Sequence, residues 1–131
     1  MDHRACGCLI ALAAMLAATA PSYAQYPTKS IRLLVPQPPG GPADMVARLL
    51  AQALSASLGK QVVVDNRPGA GGNIAAEIVA KAPADGHTVL FGFTSHAINS
   101  SLYGQMGYNL ARDFAPVSLL VSSPYGLVAH P

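Results

Sequence analysis

Two glycine pairs, Gly40-Gly41 and Gly71-Gly72, each follow an apolar run and precede a stretch with helical spacing. A glycine turn between strand and helix exposes backbone N–H groups where the helix dipole favours negative charge, so its natural chemistry is to hold an anion. Nucleotide phosphate is the first candidate, and spacing tests it. A phosphate loop needs Gly, four residues, then Gly-Lys-Ser/Thr, and neither turn ends in a lysine. A dinucleotide fingerprint needs a small residue in its last position, but Gly69-Ala70-Gly71-Gly72-Asn73-Ile74 places Ile74 there. What remains is a group held by neutral hydrogen bonds. Thr94, Ser95 and His96 follow a third apolar run and reach the same edge of a parallel sheet. The three turns together suit a small carboxylate. Glycines that only make a turn possible would account for either pair alone; three turns on one edge point to a site.

Other chemistries are poorly served. His87, His96 and His130 have no metal-ligand spacing, and a structural role suits each better. There is no G-x-S-x-G elbow, and Ser95 has no visible acid–base partner. Asp44 reads as helix-end charge rather than as a general base. Arg67, before Pro68-Gly69, could pair with a ligand carboxylate or pin its own loop. No metal and no cofactor are expected.

The elements that must position these turns are legible in outline. Ser30–Val35 is a first strand, apolar enough to be buried on both faces and ended by Pro36. From Pro42 to Leu58, Met45, Val46, Leu49, Leu50, Ala53, Leu54 and Leu58 predict one stripe of an amphipathic helix. Pro42 suits its first position, Asp44 its first turn and Gly59 its end. Gln61–Asp65 is a second strand, followed by a long turn over Asn66–Gly72. Asn73 can cap a helix carrying Ile74, Ile78 and Val79 that stops near Ala82-Pro83. Asp85-Gly86 turns into a third strand, Thr88–Gly92, and Phe93–Asn99 is a polar loop or helix start. Tyr103–Asp113 reads as loop, with further strands at Val117–Val121 and Gly126–Ala129. The order β-α-β-α-β implies an α/β fold with a doubly wound, mainly parallel sheet.

Composition narrows the class further. The chain has 131 residues, room for one small domain. Residues 1–24 read as a cleaved signal peptide: Arg4, an apolar stretch over 6–18, then Ser22-Tyr23-Ala24 as the small-residue site. Both cysteines, Cys6 and Cys8, lie inside it, so the exported part, 25–131, would carry no thiol. Of eight basic and six acidic residues, Arg4 and Asp2 precede the cut, leaving seven against five. That near-balance is no footprint for nucleic acid or an anionic membrane.

The residues also spell a family pattern. Tyr26–Pro36 with Pro39-Gly40-Gly41 and Asp44, then Val62–Ile74 with its Asn-Arg-Pro-Gly-Ala-Gly-Gly core, resembles the periplasmic receptors of tripartite tricarboxylate transporters, often called Bug proteins. Ala80–Thr88, His96–Asn99 and Asp113–Val117 continue the likeness, which covers 26–131. The resemblance implies the first lobe of a periplasmic-binding-protein type II-like clamshell, which hands a small organic carboxylate to membrane permease subunits and performs no catalysis. It implies that Gln37, Pro39, Gly40, Gly41 and Asp44, then Gly71, Gly72 and Asn73, then Thr94, Ser95 and His96, line the cleft. Three departures stand out. Gln37 replaces a common aromatic residue, Pro42 and Ala43 stand where a glycine and a hydroxyl residue are usual, and the chain stops at Pro131 where the family leaves its first lobe. A fragment or truncated receptor is therefore expected at 25–131. The alternatives are a lone lobe acting as a sensor or interaction module, and an α/β enzyme using the same turns.

Overall fold

The computed structural model describes residues 26–122. The expected signal peptide with its cysteines, the strand at Gly126–Ala129 and His130 lie outside the described residues. Within them the elements run β1 (Ile31–Val35), α1 (Pro42–Leu58), β2 (Val62–Asn66), a 3₁₀ turn (Ala70–Gly72), α2 (Asn73–Ala80), β3 (Thr88–Leu90), α3 (Thr94–Leu102) and α4 (Leu110–Asp113). The three strands form a parallel sheet in the order β2-β1-β3. β1 pairs with β2 from Ile31↔Val62 to Val35↔Asn66, and with β3 from Arg32↔Thr88 to Leu34↔Leu90.

Because β1 is central, the chain leaves it in one direction for β2 and returns past it to β3. Right-handed crossovers then place α1 and α2 on opposite faces of the sheet. The burial of β1 agrees with this. Ile31, Leu33 and Val35 join the α1-side core, whereas Leu34, pointing the other way by the two-residue alternation of a strand, is also fully buried. The sheet is thus parallel, doubly wound and covered on both faces, as the apolar run of β1 implied.

α1 spans the expected residues with Pro42 at its start, and the Gly59 N–H closes onto the Ser55 carbonyl at 3.1 Å. Its buried line differs from the expected stripe. Ala47 and Ala51 lie at the contact, flanked by Ala43, Val46, Leu50, Leu54 and Leu58, while Met45 and Leu49 are 60% and 69% exposed and Ala53 is also exposed. Small side chains let the helix approach the sheet closely, so alanines take the centre. Residues 45, 49 and 53 lie one residue, about 100°, round the helix from 46, 50 and 54.

Several boundaries shift. Ser30 and Gln61 lie outside their strands; Gln61 only lends its carbonyl to the Ile31 N–H, at 2.9 Å. Asn66 joins β2, and β3 ends at Leu90 because Phe91 makes one last bond to Leu34 and turns away. The stretch read as loop over Tyr103–Asp113 contains α4, since Asn109 Oδ1 caps it by accepting the Ala111 and Arg112 N–H groups at 3.1 and 3.0 Å. Val117–Val121 forms no strand: Val117 and Leu119 are 87% and 84% exposed, and no neighbouring strand among the described residues offers them a ladder. Among the described residues no helix is long and apolar enough to cross a membrane.

Candidate functional site

With all three strands parallel, the segments after β1, β2 and β3 emerge on one edge of the sheet, and side chains tie them together there. Asn66, at the end of β2, donates from Nδ2 to the Gln37 carbonyl at 3.1 Å and to Asp44 Oδ1 at 3.0 Å. One amide thus joins the first turn to the second. Its part is invisible in the sequence, where Asn66 merely opens the Asn-Arg-Pro-Gly run.

The first turn is closed on itself. Gln37, Pro39 and Gly40 are exposed, Gly40 at φ +84°, and its N–H donates to Asp44 Oδ2 at 3.0 Å. Arg48 Nε donates to the same oxygen at 2.8 Å, and Asp44 is buried. Arg48, with help from the Gly40 N–H and Asn66, holds the Asp44 carboxyl down at about 2. Both carboxylate oxygens of Asp44 are therefore engaged, Oδ2 by Gly40 and Arg48 and Oδ1 by Asn66. A resident anion sits where the helix end would otherwise draw one.

The second turn is built by close approach. Gly72 has φ +97°, and a Cβ there would lie 2.9 Å from His96 Nε2 and 3.2 Å from Pro36 Cβ. The Gly72 N–H donates to the Gly69 carbonyl at 2.9 Å, and its own carbonyl meets His96 Nε2 at 3.3 Å. Gly72, not Asn73, caps α2, because Asn73 has helical backbone angles and occupies the first position of the helix. Its side chain turns instead to α3 and the loop beyond: Asn73 Oδ1 accepts from Asn99 Nδ2 and from the Tyr108 hydroxyl, both at 2.9 Å.

At the third segment, Phe93–Asn99 resolves into the start of α3. Thr94 is exposed and Ser95 half-buried at its first two positions. His96 is 1% exposed; its Nδ1 accepts the Phe93 N–H at 3.0 Å while Nε2 faces the Gly72 carbonyl. The imidazole is a bolt between the second and third segments. Arg67 pins its own loop, with Nε 2.9 Å from Asp65 Oδ1. His87 lies at the far end of the sheet, beside β3, with Nδ1 3.0 Å from the Asp85 carbonyl. Among the described residues, no three His, Cys, Asp or Glu side chains group as metal ligands.

The edge therefore presents a turn filled by Asp44, a turn locked by Gly72 and His96, and polar groups without a partner among the described residues, namely the Gly41 N–H, Asn73 Nδ2 and the Thr94 and Ser95 hydroxyls. Two surface clefts lie elsewhere, one along β2 and α1 (Arg48, Gln52, Gln61, Val63) and one around Tyr103–Arg112. The convergence of the three loops defines the candidate site.

Over residues 46–131 the chain matches the family described as the tripartite tricarboxylate transporter family receptor. It belongs to that family. It is similar to the protein BugT of Bordetella pertussis, 44% identical over 108 residues that make up 81% of this chain and 33% of that protein. Among solved structures it resembles MatC from Rhodopseudomonas palustris with bound malate, at 38% identity and a TM-score of 0.67, covering 72% of this chain and 33% of that one. It also resembles an R. palustris protein with adipate, at 43% identity and a TM-score of 0.57, covering 66% and 29%. The chain spans about a third of the length of the curated relatives it matches, 31% and 33% for two of them. That coverage fits a single lobe of the α/β receptor fold, as does the three-stranded parallel sheet.

Proposed function

We propose that this chain is the first lobe of an extracytoplasmic receptor that captures a small organic carboxylate for a tripartite tricarboxylate transporter. The observation that carries the reading is the meeting of three strand-end segments on one edge, with neutral donors open and the nearby Arg48 and Arg67 already paired. Two similar proteins hold malate and adipate in their structures, and both are carboxylates. In this reading Gly41, Asn73, Thr94 and Ser95 supply donors, Gln37 and Pro39 form the rim, and Asp44, Gly40, Gly71, Gly72 and His96 hold the loops in place. A facing lobe would complete the cleft and a membrane permease would take the ligand. Residues 1–24 would direct export to the periplasm and be removed.

The test is isothermal titration and thermal shift of the purified protein with malate, adipate and a set of tricarboxylates. Saturable binding of at least one, raising the melting temperature as ligand binding to the native state must, supports the receptor reading. No binding and no shift with any of them overturns it.

A further inference from the structure

A chain of hydrogen bonds under the second turn has a polarity that only one arrangement satisfies. The Gly71 carbonyl can only accept, and the atom 3.2 Å from it is Asn99 Nδ2, which must donate. The same Nδ2 lies 2.9 Å from the Asn73 side chain, so the Asn73 atom facing it must be an acceptor, Oδ1. The Tyr108 hydroxyl meets that oxygen at 2.9 Å and completes the set as a second donor. Asn99 and Tyr108 are 7% and 6% exposed, so the relay is shielded from competing water. Burial also pushes the Tyr108 phenol up, which keeps its proton available to donate. Starting from one backbone carbonyl, each group dictates the orientation of the next.

The consequence falls on the other end of the Asn73 amide. With Oδ1 holding two donors, the Nδ2 N–H groups have no partner among the described residues, on a half-buried side chain at the first position of α2. We infer that Asn73 presents its amide N–H groups, not its oxygen, to the bound carboxylate, and that Asn99 and Tyr108 are positioning residues that fix the amide that way round. The inference rests on the receptor reading above and deepens it by naming the group that selects an acceptor-only ligand. A carboxylate offers oxygens alone to such a donor, and the positive end of α2 favours its charge. A carboxamide can place an N–H₂ against it and is disfavoured.

The experiment compares binding of malate or adipate, whichever the wild-type protein binds more tightly, with binding of its neutral diamide. Asn73→Asp replaces the donors with a like charge and should weaken carboxylate binding by about tenfold to a hundredfold, and diamide binding much less. Tyr108→Phe keeps the ring that packs edge-on against Phe114 at 5.7 Å and removes only the hydroxyl. It should lower the carboxylate-to-diamide preference by about threefold to tenfold, a selectivity change that lost packing alone would not produce. Should Tyr108→Phe fold poorly, the ¹⁵N side-chain amide resonance of Asn73 in the wild type decides instead: it must shift on carboxylate binding. An unchanged affinity in Asn73→Asp, an unchanged preference in a folded Tyr108→Phe, or an unmoved resonance overturns the inference while leaving the receptor reading intact. A wild type that binds no carboxylate overturns the receptor reading, and this inference with it.

Discussion

The two glycine turns look alike in sequence and do opposite things. The first spends its exposed N–H on its own side chain: Gly40 donates to Asp44, and Arg48 and Asn66 donate to the same carboxylate. The second has no internal anion. Gly72 is squeezed between Pro36 and His96, and the neighbouring Asn73 is oriented by residues of α3 and the loop beyond. One turn is stabilised by charge and stays exposed; the other is stabilised by close packing and neutral hydrogen bonds. A double glycine before a helix therefore does not by itself make an anion site, because a nearby aspartate can occupy it first.

Substitutions at the two turns should separate these modes. The largest effect is expected at Gly72→Ala. The added Cβ meets an imidazole bonded at both nitrogens and a buried proline, at a backbone angle that disfavours side chains, so a loss of about 3 kcal/mol in chemical unfolding is expected. A change within experimental error would show that the second turn is not held by packing. Asp44 comes next. Arg48 first, then the Gly40 N–H, depress its carboxyl to about 2, below the ordinary carboxylate value of about 3.9. Its stabilising contribution is thus complete above the unfolded value and is lost as pH falls from about 4 towards 2. Melting temperature measured across that range should drop in the wild type, and Asp44→Asn should start lower at neutral pH and lose less on acidification. Equal acid sensitivity in the two proteins would remove the resident-anion account of the first turn. The smallest effect is expected at Gly40→Ala. Nothing lies within 4 Å of the added Cβ, so only the φ of +84° is penalised, at about 1 kcal/mol. If Gly40→Ala cost as much as Gly72→Ala, the contrast between the turns would collapse.

Local signals suffice where all of them lie within one element. α1 carries Pro42 at its start, Asp44 in its first turn and Gly59 after its end, all within the reach of one helix, and its limits match the expectation. The parallel strands follow from apolar runs separated by helices. Misreadings occur where two local rules compete. Asn73 is a good cap by type, but Gly72 can take the left-handed angle and so displaces it. The stripe of α1 shifts because leucine outranks alanine in hydropathy but not in closeness of approach. Val117–Val121 has the composition of a strand and lacks, among the described residues, a neighbouring strand to bond to.

The residues of the candidate site missed by sequence reading are Asn66, Asn99 and Tyr108. Their partners lie 22, 28 and 35 residues away at Asp44, Gly71 and Asn73, and no local pattern records such pairings. By itself the sequence determined the α/β class, the positions of the turns and the failure of nucleotide spacing, because strand and helix signals and motif spacings are properties of neighbouring residues. Only the tertiary structure decided that one turn is filled by Asp44 and that the other carries an oriented amide. Hydrogen-bond polarity is set by which groups meet in space, and those meetings exist only once the sheet has brought its strand ends together.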